Sequence, residues 1–128
     1  MKAALLLALG FGVAFGSVAQ AQGKDPPGVN PTHFQCYRVS QQKPLQAEAK
    51  VTDQFGGASY KLGAAMFLCA PASKNGEPVK DKETHLTCYS IPAKNAGKKV
   101  VVTHQFGSQQ LTVGGSVVLC LPSIKKVL

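Results

Sequence analysis

Two short segments carry nearly the same six-residue phrase, and each contains a residue able to transfer protons. The phrase reads VTDQFG at 51–56 and VTHQFG at 102–107, so Asp53 and His104 occupy equivalent places. A carboxylate held beside an imidazole can act as a general acid–base pair. The sequence assigns no serine, cysteine or second carboxylate beside them. We therefore expect a protein that is not an enzyme, with a small secreted enzyme using Asp53 and His104 as the alternative.

The phrase belongs to a longer internal duplication. The segment HFQCY at 33–37 corresponds to HLTCY at 85–89, and LCAP at 68–71 corresponds to LCLP at 119–122. The first block recurs after 52 residues and the other two after 51. Three blocks in one order at a nearly constant spacing indicate two copies of one structural unit.

Duplication also explains the phrase without any catalysis. At the end of a strand, Phe55 or Phe106 would turn inward, and the next residue, a glycine, would adopt backbone angles that other residues resist. The glutamine amides would bond backbone groups at the turn. The residues of this repeat signature are Asp53, Gln54, Phe55, Gly56, His104, Gln105, Phe106 and Gly107.

Four cysteines, an even number, bracket the two copies and predict two disulfides. Equivalent positions favour Cys36 with Cys69 and Cys88 with Cys120, while Cys36 with Cys88 and Cys69 with Cys120 stays open. The spacings His33-x-x-Cys36 and His85-x-x-Cys88 also resemble half of a zinc site. The amino terminus, described below, predicts export, and an oxidising compartment does not favour the thiolates that zinc requires. We therefore expect no metal and no cofactor. Both histidines are expected to enter strands and to bond the neighbouring repeat.

A strong positive balance points to acidic partners. The chain has 14 Lys and Arg against 6 Asp and Glu, a formal charge of +8. Such a chain favours anionic glycan or lipid, and another extracellular protein is a further candidate. Nucleic acid is not expected, because no arginine cluster with interleaved aromatic residues is present. The candidate anion-binding residues are Lys94, Lys98, Lys99, Lys125 and Lys126.

The amino terminus predicts export to the periplasm or outside the cell. One lysine, an apolar run at 3–18 and the small residues Ala19-Gln20-Ala21 form the pattern of a cleaved signal peptide over 1–21. No later apolar stretch approaches the roughly 20 residues of a membrane span, so we expect no transmembrane segment after cleavage. A flexible arm at 22–32 then precedes one domain at 33–128. Within it lie repeat 1 (33–71), a linker (72–84) and repeat 2 (85–122).

Short apolar and β-branched runs predict strands throughout the domain. We expect an all-β fold, a small sandwich or barrel of about eight strands. Its two repeats would share one core, be related by a pseudo-twofold axis and be stapled by two disulfides, since some 40 residues rarely fold alone. Glycines 114 and 115 are predicted to join the last two strands as a hairpin. The predicted strands are 34–39, 47–53, 59–62, 65–70, 86–91, 98–105, 109–113 and 116–121.

The paired blocks HFQCYRV, DQFG, LCAP and then HLTCY, HQFG, LCLPSIK resemble a family of secreted bacterial domains of unknown function built from this tandem repeat. The resemblance spans 33–125, and His104 departs from the aspartate of the first copy. It implies export and a stand-alone or appended extracellular module. It supplies no activity, ligand or catalytic residue.

Overall fold

Eight strands form the regular secondary structure of the residues that the computed structural model describes, 24–40 and 43–128. The expected signal peptide and the start of the expected arm lie outside these residues. Within them no helix has the length and apolarity needed to cross a membrane. The strands are β1 (His33–Arg38), β2 (Glu48–Asp53), β3 (Gly56–Lys61), β4 (Ala65–Ala72), β5 (Thr84–Ser90), β6 (Asn95–His104), β7 (Gly107–Gly115) and β8 (Val118–Ile124).

The strands form one four-stranded antiparallel sheet and two hairpins. The sheet has the order β1-β4-β5-β8, and the hairpins are β2 with β3 (hairpin 1) and β6 with β7 (hairpin 2). The prediction of an all-β fold with about eight strands is confirmed. The predicted hairpin across Gly114 and Gly115 is wrong, because β7 pairs with β6 and β8 crosses to β5. Each repeat thus pairs its first and last strands and places a hairpin between them.

The two repeats are related by a translation across the sheet, which corrects the expected twofold axis. Repeat 1 supplies the neighbours β1 and β4, and repeat 2 supplies β5 and β8. Because every pair in the sheet is antiparallel, β1 runs in the same direction as β5 and β4 runs in the same direction as β8. A twofold axis would reverse either the strand direction or the strand order. A step of two strands preserves both, as observed.

The equivalence of the repeats extends to single backbone bonds. The N–H of Val39 donates to Met66 O at 3.2 Å, and the N–H of Ile91 donates to Val117 O at 3.1 Å. These bonds join the same repeat positions in each copy. The two repeats therefore share the same backbone hydrogen-bonding pattern at this position.

The sheet is open and its interior is thin. Strands β1 and β8 are its edges, so the described strands do not close into the barrel that was one predicted form. Among residues 24–40 and 43–128, the buried apolar side chains are those of Leu62, Cys69 and Cys88, at 2–3% exposure. The repeats share this small interior through β4 and β5, the central strands. Because so little apolar surface is buried, the disulfides and the backbone hydrogen bonds between strands contribute an unusually large part of the free energy of unfolding.

Both disulfides join directly opposed residues on neighbouring strands. Cys36 is bonded to Cys69 and Cys88 to Cys120, which confirms the preferred pairing. The register pairs Cys69 with Leu86, two residues before Cys88, so the two bridges lie on the same face of the sheet. Each bridge ties the first strand of a repeat to its last strand.

Removing either bridge should greatly destabilise the fold. The bridges span 33 and 32 residues, and closing loops of that length stabilises a chain by about 3–4 kcal/mol in the chain-entropy model. We expect the double variant Cys88→Ala with Cys120→Ala to lose about this much in urea unfolding, and the Cys36→Ala with Cys69→Ala variant to match it. Unfolding midpoints equal to that of the unaltered protein would contradict a stapling role.

Candidate functional site

The repeated phrase forms the tight turn of each hairpin. In hairpin 1, Asp53 Oδ1 accepts a hydrogen bond from the N–H of Phe55 at 2.8 Å. In hairpin 2, His104 Nδ1 accepts the corresponding bond from Phe106 at 3.1 Å. In each turn, a side-chain acceptor therefore caps the backbone N–H of the residue two positions later. The acceptor is a carboxylate oxygen of Asp53 in one copy and an unprotonated ring nitrogen of His104 in the other.

Glycine follows the turn in both copies for a conformational reason. Gly56 has φ of 132° and Gly107 has φ of 122°, a region that L side chains rarely adopt. The expectation that these positions require glycine agrees with the observed angles.

The prediction that both phenylalanines turn inward is wrong. Phe55 is 38% exposed and Phe106 is 53% exposed. Both lie in the two-residue connection, where the chain reverses and side chains project from the end of the ladder. Gln105 is the buried member of its turn, at 8% exposure, whereas Gln54 is exposed. The two copies of the phrase therefore meet different surroundings.

Asp53 and His104 lie at the tips of different hairpins and line different pockets. No hydrogen bond between described residues joins them; each bonds the backbone of its own turn. The translation between repeats explains this separation, because it does not bring equivalent positions face to face as a twofold axis can.

The first pocket forms where the tip of hairpin 1 meets the base of hairpin 2. Its volume is about 160 Å³, and Asp53, Phe55, Lys94 and Gly115 are among its lining residues. The ammonium of Lys94 donates to Gly57 O at 2.7 Å, which anchors the tip of the first hairpin to the second repeat. Lys94, a candidate for anion binding, thus has an internal partner.

The second cluster is built around Glu77 in the linker. Its Oε2 lies 3.2 Å from His33 Nε2, and its Oε1 accepts a bond from the amide of Gln105 at 2.9 Å. The Lys74 ammonium lies 3.4 Å from the same Oε1. One carboxylate therefore holds together the start of repeat 1, the linker and the turn of repeat 2. We call Glu77, His33, Lys74 and Gln105 the linker clamp.

Local bonds shape the linker around this carboxylate. The Ser73 hydroxyl donates to Glu77 O at 2.6 Å, and the N–H of Glu77 donates to Lys74 O at 3.1 Å. Asn75 and Gly76 supply the positive φ values of 53° and 76° that this tight turn requires. The turn places Lys74 and Glu77 side by side, with the Lys74 ammonium 4.9 Å above the centre of the Phe106 ring.

The clamp favours the ionised form of Glu77. The hydrogen bond from Gln105 is the main cause that lowers the pKa of Glu77 below its ordinary value of 4.5, with smaller contributions from Lys74 and His33 against partial desolvation. Further along the linker, the N–H groups of Thr84 and Glu83 lower the pKa of Asp81. Both carboxylates are thus held as anions that order the linker.

An open pocket of about 170 Å³ adjoins the clamp. It is lined by Asp25, His33, Lys74, His104, Gln105 and Phe106. The carbonyl oxygen of the Gln105 side chain is buried and accepts no hydrogen bond from the described residues. The lining thus combines two imidazoles, the Lys74 ammonium and the Asp25 carboxylate, and the unpaired amide oxygen could accept a hydrogen bond from a small polar group.

The two strand-entry histidines behave differently, although they are repeat equivalents. His33 bonds Glu77 in the linker, whereas the ring N–H of the buried His85 donates from Nδ1 to Glu83 O at 2.9 Å. Both partners lie in the linker, so the prediction that the two histidines bond the neighbouring repeat is wrong. The zinc interpretation of the His-x-x-Cys spacings fails as well, because all four sulfurs are in disulfides.

The candidate lysines fall into two groups at opposite ends of the sheet. After the end of β5 the chain continues through Lys94 into β6, which carries Lys98 and Lys99, whereas Lys125 and Lys126 directly follow the end of β8. Because β5 and β8 are antiparallel over seven residues, the ends are separated by about 20 Å. All five lysines are exposed.

Sequence reasoning missed the linker clamp. Glu77 and Lys74 lie in a segment rich in proline, glycine and charge, which indicated only a surface connection. The available signal was the pair of charges three residues apart around Asn75-Gly76. That pattern predicts a turn, but it does not predict which distant residues the turn contacts.

The capping role of the repeat phrase predicts a specific order of stabilities. Asp53→Ala should cost about 1 kcal/mol in unfolding free energy, because it removes the acceptor for Phe55 N–H, and Asp53→Asn should restore most of it. His104→Asp should retain stability, since aspartate performs this task in the other copy, while His104→Ala should not. Equal losses for His104→Asp and His104→Ala in urea unfolding would argue against capping.

The lowered pKa of Glu77 predicts a stability difference that depends on pH. A carboxyl group whose folded pKa is depressed stabilises the fold above its unfolded value and loses that contribution as pH falls through the folded pKa. Glu77→Gln should therefore be less stable than the unaltered protein at pH 7, and the difference should shrink below about pH 4.5. Glu83→Gln, which removes a carboxylate from the same linker, is the control.

The measurement is urea unfolding of the three proteins between pH 7 and pH 3. Glu83→Gln should track the unaltered protein at each pH. A difference between Glu77→Gln and the unaltered protein that stays constant to pH 3 would contradict the role assigned to the ionised carboxylate.

Comparison with known proteins identifies the chain at the level of the family. A protein-family model described as Repeat of unknown function (DUF7450) matches residues 17–122, which include both copies of the unit. No curated protein and no solved structure matches the chain significantly. Because the family model covers most of the chain, including both disulfides, both hairpin turns and the linker clamp, the chain belongs to the DUF7450 repeat family of unknown function.

Proposed function

We propose that the chain is an exported, non-enzymatic bacterial β module that binds anionic envelope or extracellular material through its exposed lysines. Two disulfides support the export, since such bonds persist in oxidising compartments such as the periplasm or the extracellular space. They also suit a small domain with a thin interior.

The distribution of charge is the observation that carries the proposal. Among the described lysines, Lys74 alone lies within ion-pair distance of a carboxylate, that of Glu77. Lys98, Lys99, Lys125 and Lys126 are exposed, and none of them is within that distance of a carboxylate. Lysine heads without internal partners keep their charge available for an external anion.

The spacing of the two lysine groups favours an extended ligand. Lys98 and Lys99 are consecutive in β6 and project to opposite faces of hairpin 2. The ends of β5 and β8, after which the two lysine groups follow, are about 20 Å apart, so one small anion would not contact all of these lysines. A polyanionic glycan or a membrane surface rich in anionic lipid can reach both groups at once. Simultaneous contact raises affinity through effective concentration even where each contact is weak.

The proposal predicts binding to a polyanion that depends steeply on salt. Binding to immobilised dextran sulfate should weaken more than tenfold between 50 and 500 mM NaCl, because screening shortens the range of exposed charges. Lys98→Gln with Lys99→Gln, and Lys125→Gln with Lys126→Gln, should each weaken binding several-fold at low salt. The control, Lys50→Gln with Lys61→Gln, removes the same charge from hairpin 1 and should change binding less.

Vesicles containing phosphatidylglycerol distinguish a lipid surface from a glycan as the source of the anions. Binding that is insensitive to salt, or equal losses in all three double variants, would contradict recognition by the two lysine groups. Absence of binding to both probes would remove the proposal.

A further inference from the structure

The open edges of the sheet expose backbone groups in a defined pattern. The Cα atoms of Cys88 and Cys120 are 3.9 Å apart, as are those of Cys36 and Cys69. Such close opposed residues form the narrow type of antiparallel pair, whose N–H and C=O groups point away from each other's strand. The backbone polar groups of Cys36 on β1 and of Cys120 on β8 therefore point to the open edges.

The translation between repeats makes these two edges complementary. Strand β8 is the repeat equivalent of β4, and β1 is the repeat equivalent of β5, while β4 and β5 pair inside the chain. We propose that β8 of one molecule pairs with β1 of a second copy in the register of the β4–β5 pair, extending the sheet. This association is independent of the lysine sites.

The register follows residue by residue from the internal pair. Phe67 with Cys88, Leu68 with Thr87 and Cys69 with Leu86 are the observed partners of β4 and β5. The equivalent partners between molecules, given as β8 of one copy with β1 of the second, are Val118 with Cys36, Leu119 with Gln35 and Cys120 with Phe34.

The side chains at these positions match those of the internal β4–β5 pair in polarity. Each intermolecular pair has the same character as its internal counterpart: an apolar residue beside a cysteine, a leucine beside a polar residue, and a cysteine beside a large apolar residue. No carboxylate lies on β1 or β8. The pairing therefore buries no uncompensated acidic group.

Exposure marks the positions that the second copy would cover. Cys69 and Cys88, on the central strands, are each 2% exposed, whereas Cys36 and Cys120 on the edges are exposed. Phe34 is 37% exposed at the edge. A second copy on each edge would give the outer half of each disulfide the environment that the inner half already has.

Gly63 and its repeat equivalent Gly114 provide a second observation. A Cβ at Gly63 would collide with the Ser90 hydroxyl of the adjacent repeat, so glycine permits β4 and β5 to approach there. Gly114 has nothing within 4 Å of the corresponding position. Gly114 also lines the pocket between the tip of hairpin 1 and the base of hairpin 2. In the proposed pairing, Arg38 of the second copy, the repeat equivalent of Ser90, would lie beside it.

Proline limits the ladder in both settings. The internal pairing of β4 with β5 ends at Cys69, shortly before Pro71, which has no N–H. Pro122 is its repeat equivalent on β8, so the intermolecular ladder ends at the corresponding place. Pairing β8 with β1 joins two different surfaces, and such an interface extends into open chains rather than closing as a symmetric dimer.

Cysteine cross-linking tests the register directly. Leu119 and Gln35 would form a narrow pair between molecules, so a Leu119→Cys protein mixed with a Gln35→Cys protein should form a disulfide heterodimer under mild oxidation. Leu119→Cys mixed with Tyr37→Cys, two residues out of register on the same face, is the control. The heterodimer should exceed the control at least fivefold, with native bridges verified by peptide mapping.

Equal yields for the two mixtures would overturn the proposed pairing. Predominant homodimers of Leu119→Cys would also overturn it, because they indicate a symmetric contact of β8 with β8.

A backbone variant tests the hydrogen bonds without cysteines. The N–H of Phe34 points to the open edge, so Phe34→Pro removes an outward donor and leaves the bonds of β1 with β4 in place, whereas Phe34→Ala removes the ring and keeps the donor. Sedimentation of the processed protein should show concentration-dependent association, about tenfold weaker for Phe34→Pro than for Phe34→Ala. A monomer at millimolar concentration, or equal association of the two variants, would overturn the proposal; should Phe34→Pro fail to fold, the sedimentation of the unaltered protein and the cross-linking decide.

Discussion

Hydrogen bonds between β4 and β5 join two halves that are separate copies of one unit in sequence. Each copy brings its first and last strands together and closes them with a disulfide, but this pair alone is a two-stranded ribbon with little apolar area to bury. Pairing β4 with β5 converts two ribbons into a four-stranded sheet and buries Cys69 and Cys88 at its centre. The hairpins, the linker and the pockets take their positions from this sheet.

The direction and order of the strands determine whether equivalent residues of the two repeats can meet in one site. A twofold axis would have set equivalent residues opposite one another, with the potential to combine Asp53 and His104 into one site. The translation that is observed sends each to its own hairpin tip, where each caps a turn. The same translation leaves unlike edges at the two sides of the sheet. The duplication thus repeats a turn and its cap, and it does not bring Asp53 and His104 together.

The linker adds a second connection between the repeats. Glu77 contacts the start of β1 through His33 and the turn of hairpin 2 through Gln105. Lys94 makes the converse connection, from the base of hairpin 2 to the tip of hairpin 1. Each contact uses a polar group at a turn rather than apolar packing. A chain with few buried apolar side chains thus fixes its hairpins by hydrogen bonds and charge at their ends.

The sequence by itself determined the unit, its strands and its bridges. Alternating short runs, glycine after the turn and cysteines at equivalent positions are local or periodic signals. They predicted the all-β class and strand boundaries within a few residues, and they favoured the disulfide pairing that the structure then selected over the swapped one. Tertiary structure decided the relation between the copies, because strand order depends on which distant backbone edges meet. It also decided the linker clamp: nothing local to Glu77 specifies His33 or Gln105, which lie 44 and 28 residues away. Contacts across such distances are selected by the whole fold, in which a residue's partners depend on the register of strands remote from it.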